Sequence, residues 1–177
     1  MKIDPVVELL ESRGADFALI GGHALAARGY PRFTVDVDLM TTAAWILDED
    51  PWATLYAAGA SVERRRGDID DPLAGVVHVL LPDGTDIDIV LAKWQWEADV
   101  ITRAEPMHLR PDLVIRVPLS SDLILLKLSA GGSLDLRDAA TLLSGDRERL
   151  IDEVEAKLRK VRPDVQRQWQ DVLAMAL

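Results

Sequence analysis

The chain has 177 residues, of which 49% are hydrophobic and 28% are charged, and it contains no cysteine. Its 30 acidic residues outnumber its 20 basic residues, which gives a formal net charge of −10. This excess excludes extensive nucleic-acid binding, because affinity for nucleic acids comes from Lys and Arg that neutralise phosphates. The absence of cysteine excludes disulfides, thiolate chemistry and Cys-ligated zinc.

No segment predicts secretion or membrane insertion. Asp4 interrupts the apolar run near the N-terminus, which is atypical of a signal peptide. No apolar run approaches the roughly 18 residues that a membrane-spanning helix needs. We therefore expect a soluble, cytoplasmic protein.

The first part of the chain predicts a helix followed by two strands. Asp4 and the proline after it are typical of a helix start, and Gly14 ends that helix. A short buried strand is predicted over 16–20. Residues 34–40 alternate between polar and apolar side chains, which predicts a strand with two different faces.

The middle of the chain predicts a β-hairpin. Its strands cover 76–81 and 86–91, and the Pro-Asp-Gly-Thr sequence between them favours a turn. A helix over 50–58 precedes the hairpin, and a further strand over 113–117 follows it. The basic run 64–66 is predicted to be a solvated loop, with a local contact to an acceptor as the alternative.

The last third of the chain predicts helices. Residues 120–130 have the pattern of a capped amphipathic helix, and helical spacing resumes at 135–143. We expect a sheet core over 1–118 and a helical region over 119–177 that packs on or beside it. The fold class is therefore α+β, with a small mixed β-sheet flanked by helices.

The strongest chemical pattern is the pair Asp36 and Asp38. Residues two apart in a strand project from the same face, so both carboxylates point to one place, whereas Val35, Val37 and Leu39 enter the core. Adjacent carboxylates repel each other unless a cation lies between them. Mg²⁺ prefers oxygen ligands and is the expected ion, with Mn²⁺ as the alternative.

A third carboxylate and a glycine turn complete this pattern. Asp88 is the candidate on the hairpin, with Asp86 as its competitor. Two Mg²⁺ ions about 3.5–4 Å apart stabilise the attacking and leaving oxygens of a phosphoryl displacement, which suits three carboxylates. The Gly21-Gly22 turn lets backbone amides approach a triphosphate closely.

Residues 17–40 resemble the nucleotidyltransferase superfamily of the polymerase-beta-like fold, in which Gly-Gly precedes Asp-x-Asp and a later acidic residue. The positions of Arg32 and Thr34 resemble the bacterial minimal nucleotidyltransferase branch that includes AbiEii-type toxins. The resemblance implies metal-dependent transfer of an NMP from an NTP, such as ATP, to an acceptor hydroxyl, with release of pyrophosphate.

The resemblance also implies roles for individual residues. Asp36 and Asp38 would hold the metals, and Asp88 would complete the second metal site and take the acceptor's proton. Lys127 would contact the nucleotide phosphates, with Asp135 and Asp138 near the mouth of the site. The predicted nucleotide-binding residues are Gly21, Gly22, His23, Thr34 and Lys127.

Several alternatives stay open from the sequence. His23 either bonds phosphate or packs against the sheet, and the spacing of His78 and His108 does not support zinc. The acceptor is a tRNA end, a protein side chain or a small molecule such as an aminoglycoside. The protein acts alone, within a toxin-antitoxin pair, or as a catalytically silent partner-binding subunit whose C-terminal helices contact another chain.

Overall fold

A five-stranded mixed sheet forms the centre of the computed structural model, which describes residues 3–175. The strands are β1 (Phe17–Ile20), β2 (Val37–Thr41), β3 (Ser61–Arg66), β4 (Gly75–Leu80) and β5 (Asp86–Leu91). They lie in the order β1-β2-β5-β4-β3, with β2 and β5 parallel and the other neighbours antiparallel. The predicted α+β class with a mixed sheet is confirmed.

A second sheet and the helices make up the rest of the fold. The second sheet pairs β6 (Glu105–Arg110) with β7 (Leu113–Val117). The α-helices are α1 (Asp4–Ser12), α2 (Gly21–Ala27), α3 (Ala53–Ala57), α4 (Gln95–Arg103), α5 (Ser120–Ala130), α6 (Ser133–Leu143), α7 (Arg147–Leu158) and α8 (Pro163–Met175). Within the described part of the chain, none of these helices has the length and apolar character needed to cross a bilayer.

The central sheet has one apolar face and one face that carries polar side chains beside buried apolar ones such as Met40. Alternating residues of its middle strands are almost fully buried on the apolar face, namely Val37, Leu39, Val77, Val79, Ile87 and Ile89. The intervening residues Asp38, His78 and Asp88 project from the opposite face, because side chains alternate along a strand. The hydrophobic core thus fixes the direction in which the polar side chains point.

The predicted hairpin is confirmed as β4 and β5. Its turn is closed by the backbone amide of Leu81, which donates to the carbonyl oxygen of Thr85 at 2.9 Å. Gly84 has a φ of +86°, a conformation that favours glycine. The turn sets the register of the two strands, and this register determines which residues of β4 lie beside the acidic residues of β5.

The basic run Arg64–Arg66 lies on β3 and not in a loop, so the loop prediction is wrong. Among the described strands, β3 pairs only with β4 and forms the edge of the sheet, where charged side chains discourage pairing with another chain. Each arginine lies within 4.0 Å of an acidic partner; the pairs are Arg64–Glu49, Arg65–Asp71 and Arg66–Asp48.

The C-terminal helices bury their apolar side chains inside the protein. Leu150, Val154 and Leu158 of α7 are at most 8% exposed, so they do not form the outward stripe that the partner-binding alternative requires. The helix predicted as amphipathic, α5, is buried on most of its circumference. It therefore lies inside the helical layer and not on its surface.

Candidate functional site

A row of side chains crosses the polar face of the sheet and brings two predicted carboxylates together. Asp38 on β2 lies opposite Asp88 on the parallel strand β5. Asp38 also lies opposite Ile20, the last residue of β1, and Asp88 lies opposite His78 on β4. Paired residues on neighbouring strands project from the same face, so these side chains form one continuous row.

Asp36 reaches this region from outside the sheet, which corrects its predicted position on the strand. β2 begins at Val37, and Val35, which the alternation places in the core, is 67% exposed. The physical reason is that β1 ends at Ile20, so β2 has no partner on that side before Asp38. Both carboxylates nevertheless line one pocket.

Asp38 lies in an environment that disfavours its negative charge. Its pKa is raised to about 6, mainly by burial and then by the negative charge of Asp88. The charge of Asp36 acts in the same direction, whereas Lys127 and Arg32 oppose the rise. A bound cation would relieve this repulsion and restore the charged form.

Gly21 and Gly22 both lie so close to neighbouring side chains that a larger residue would have to displace them. Gly21 has a φ of +65°, and a Cβ atom there would collide with the carboxylate of Asp38. A Cβ atom on Gly22 would lie 2.9 Å from the side chain of Thr34. The glycines thus allow the start of α2 to pack against β2 and against the segment that leads into it.

A pocket of about 340 Å³ lies beside these carboxylates. Its size falls at the lower end of the roughly 300–1,000 Å³ typical of small-molecule sites. Its polar lining consists of Arg32, Thr34, Asp36, Asp38, Lys127 and Asp135. The pocket therefore combines acidic groups that suit a metal ion with basic groups that suit an anion.

Ion pairs hold the two cations of this pocket. Lys127 Nζ lies 2.8 Å from Asp135 Oδ1 and 3.0 Å from Asp138 Oδ2. Arg32 Nε lies 3.6 Å from the same oxygen of Asp138. Two of the predicted features, the lysine of α5 and the acidic residues that follow it, are thus part of one charged cluster.

His78 also belongs to this row, although the sequence did not identify it as a site residue. Its Nδ1 lies 2.9 Å from Asp88 Oδ1 and 3.2 Å from Asp86 Oδ1. The hydrogen bond with Asp88 is the main cause of a raised pKa of His78, and the charge of Asp86 adds to it. Ligand atoms of these three residues lie within 4.8 Å of one another, close enough to share a metal ion.

The position of His78 could have been found from the hairpin alone. Counting back from the turn in both strands pairs residue 78 with residue 88. A histidine motif within a single segment does not reveal this position, because the acidic neighbours of His78 lie on another strand.

Not all predicted nucleotide-binding residues face the pocket. His23 lines a separate cavity of about 460 Å³ together with His108 on β6. Its pKa is lowered, mainly by burial. The structure therefore groups Gly21, Thr34 and Lys127 with the carboxylates but directs His23 elsewhere.

Solved structures share this fold. ANT(2'')-Ia, solved in complex with adenylyl-2''-tobramycin, matches with a TM-score of 0.57 and 16% identity, over 88% of this chain and 94% of that one. A Thermotoga maritima protein inferred to be a nucleotidyltransferase matches with a TM-score of 0.56 and 15% identity, over 83% and 91% of the two chains.

An antigenic nucleotidyltransferase-like protein from Paracoccidioides brasiliensis matches with a TM-score of 0.50 and 17% identity, over 95% of this chain and 90% of that one. No protein-family model and no curated protein matches the chain. The predicted nucleotidyltransferase fold is confirmed, whereas the AbiEii-type branch stays a prediction.

Proposed function

We propose that this protein, which has the nucleotidyltransferase fold, transfers an NMP from an NTP to an acceptor hydroxyl and releases pyrophosphate. The observation that carries the proposal is the grouping of Asp36, Asp38 and Asp88 beside a pocket that contains Arg32 and Lys127. Carboxylates bind metal cations, whereas arginine and lysine bind anions. A metal-bound triphosphate provides both a cation and an anion.

The carboxylates of Asp36, Asp38 and Asp88 offer the oxygen ligands that divalent cations prefer. Asp36 and Asp38 would hold both ions, and Asp88 would complete the second site. Burial and then the negative charge of Asp88 raise the pKa of Asp38, and a bound cation would stabilise its charged form. Bound Mg²⁺ or Mn²⁺ would neutralise the triphosphate and polarise the transferred phosphoryl group.

The chain's own residues would orient the reactants. Lys127 and Arg32 would bind phosphate oxygens, and Gly21 lines the same pocket beside Asp38. Asp88 would accept the proton of the acceptor hydroxyl, whose oxygen then bonds to the α-phosphorus. The bond from the α-phosphorus to the bridging oxygen of pyrophosphate breaks in the same displacement.

A small cationic acceptor is favoured by the charge of the surface beyond Asp88. Glu63 on the edge strand lies opposite His78, so the polar row continues away from the nucleotide pocket with a further acid. Asp86 adds another negative charge on the same face. Such a surface attracts a polyamine or an aminoglycoside, the class of the tobramycin part of the adenylyl-2''-tobramycin bound by ANT(2'')-Ia, and repels the phosphates of RNA.

Two other acceptors stay hypotheses, namely a tRNA end and a protein side chain. A role in a toxin-antitoxin pair is also a hypothesis. The basic run on β3 gives little support to an RNA contact, because each of its arginines faces an acid. A catalytically silent role does not explain why Asp38 is held close to the negative charges of Asp36 and Asp88 against their mutual repulsion.

The experiment is incubation with each NTP labelled at the α-phosphate, Mg²⁺, and separate pools of aminoglycosides, total tRNA and cell protein. We expect label in the aminoglycoside pool, and none with the Asp36→Asn/Asp38→Asn double variant. Asp152→Asn, a substitution on an exposed part of α7, is the charge control and should transfer label normally. Equal transfer by wild type and double variant would contradict the proposed site.

A further inference from the structure

Two carboxylates contact Lys127 from different sides of the pocket wall. Asp135 lines the pocket together with the lysine, and its side chain is 26% exposed. Asp138 is not part of the lining, and its side chain is only 8% exposed. A ligand in the pocket can therefore reach Asp135 but not Asp138.

Asp138 connects two segments that are distant in the sequence. Its Oδ2 lies 3.0 Å from Lys127 on α5 and 3.6 Å from Arg32, which precedes β2. One buried oxygen thus lies within ion-pair distance of both cations of the pocket. Buried charges require partners, so removing this carboxylate would take away the buried anion that Arg32 and Lys127 share and leave Lys127 with Asp135.

Asp135 occupies a position where a phosphate would compete with it. The ion pair between Asp135 Oδ1 and Lys127 Nζ is 2.8 Å long and lies at the pocket surface. Phosphate oxygens bind a lysine ammonium through the same charge-assisted hydrogen bonds as a carboxylate. An incoming triphosphate must therefore displace Asp135 or accept its repulsion.

We propose that Asp138 is a positioning residue that holds Arg32 and Lys127 for the triphosphate, and that Asp135 is an anionic placeholder on Lys127 that the triphosphate displaces. This inference depends on the proposed function, since it concerns the same nucleotide pocket. It assigns opposite effects on NTP affinity to two carboxylates that contact the same lysine. If both residues had a purely structural role, replacing either one would change NTP affinity in the same direction.

The test is calorimetric titration of the full chain with each NTP in the presence of Mg²⁺. We expect Asp138→Asn to weaken binding of the NTP that the wild type prefers by about tenfold or more, and Asp135→Asn to tighten it several-fold. Asp152→Asn makes the same change of charge away from the pocket and should leave the affinity unchanged. Thermal melting of each variant separates loss of affinity from loss of folding.

A second measurement shows whether Asp138 acts through the lysine. In a Lys127→Met background, Asp138→Asn should lose most of its effect on affinity, because residues in one network are not additive. Asp138→Glu should restore part of the binding. If Asp138→Asn fails to fold, the tighter binding expected of Asp135→Asn still decides the proposal.

The outcomes separate this inference from the proposed function. If the wild type binds no NTP with Mg²⁺, the proposed function is wrong and this inference fails with it. If the wild type binds an NTP but Asp135→Asn weakens that binding, or a folded Asp138→Asn leaves it unchanged, the inference alone is overturned.

Discussion

His78 Nδ1 lies 2.9 Å from Asp88 Oδ1, and the two residues lie opposite each other on β4 and β5. The same nitrogen is 3.2 Å from Asp86 Oδ1, which is buried and forms no hydrogen bond with residues 3–175. The histidine therefore orients the carboxylate of Asp88 but does not donate a hydrogen bond to this oxygen of Asp86. This difference supports Asp88, which also lies opposite Asp38, as the third carboxylate of the proposed site.

Replacing His78 should slow transfer more than it weakens NTP binding. His78→Gln would remove the contact that orients Asp88, and small losses of orientation cost about tenfold to a hundredfold in rate. We expect a lower kcat with KM for the NTP within about twofold of wild type. Steady-state kinetics with the acceptor that takes the label measures both parameters.

His108→Gln is the matched control for this prediction. His108 is exposed on β6 and belongs to a different cavity, so the variant should have wild-type kinetics. A normal kcat for His78→Gln would show that Asp88 needs no partner on β4.

Gly21→Ala should destabilise the fold more than Gly29→Ala. Both glycines have a positive φ, 65° and 91°, so both substitutions introduce backbone strain. Only at Gly21 would the added Cβ collide with Asp38, whereas nothing lies within 4 Å at Gly29. We expect the free energy of unfolding to fall by about 1–3 kcal/mol more for Gly21→Ala.

Urea denaturation of both variants measures this difference. Because the strain of a positive φ is common to the two positions, the difference isolates the contact with Asp38. Equal losses would mean that the carboxylate moves aside without cost.

The sequence predicted those parts of the site that local patterns determine. The Gly21-Gly22 turn, the alternation around Asp38 and the hairpin that carries Asp88 each depend on residues close together in the chain. Turn chemistry and strand periodicity act over a few residues, so they can be recognised without knowing the fold.

The remaining parts depend on contacts between distant segments. The position of Asp36 outside the sheet follows from where β1 ends, and the role of His78 follows from strand pairing. The cluster of Arg32, Lys127 and Asp138 forms only when α5 and α6 pack beside the segment that enters β2. No local pattern contains these relationships.

Asp38→Asn should stabilise the protein at neutral pH while it abolishes the proposed metal binding. The pKa of Asp38 is raised to about 6 in the folded protein, so the folded state binds this proton more tightly than the unfolded state does. Above pH 6 the charged carboxylate therefore reduces stability, and the cost disappears as the pH falls toward 4. We expect a gain of roughly 1–3 kcal/mol at pH 7 and almost none at pH 4.

Urea denaturation at several pH values, without divalent cations, measures this effect, and Asp152→Asn controls for net charge. Calorimetry of the wild type should also show Mn²⁺ affinity falling below about pH 6, where Asp38 becomes protonated. A variant that loses stability equally at all pH values would contradict the assigned pKa.

Removing Asp122 should be among the most destabilising single changes in the helical region. Its side chain is fully buried and lies 2.8 Å from Arg103 on α4 and 2.9 Å from Lys157 on α7. Asp122→Ala leaves two cations without their shared anion, and breaking a buried ion pair in this way costs about 3–5 kcal/mol.

The exposed pair Asp146–Arg149, with both side chains about 60% exposed, provides the comparison. Asp146→Ala should lower the urea midpoint much less, because solvent screens such pairs. Similar losses for the two variants would mean that the buried network does not join α4, α5 and α7.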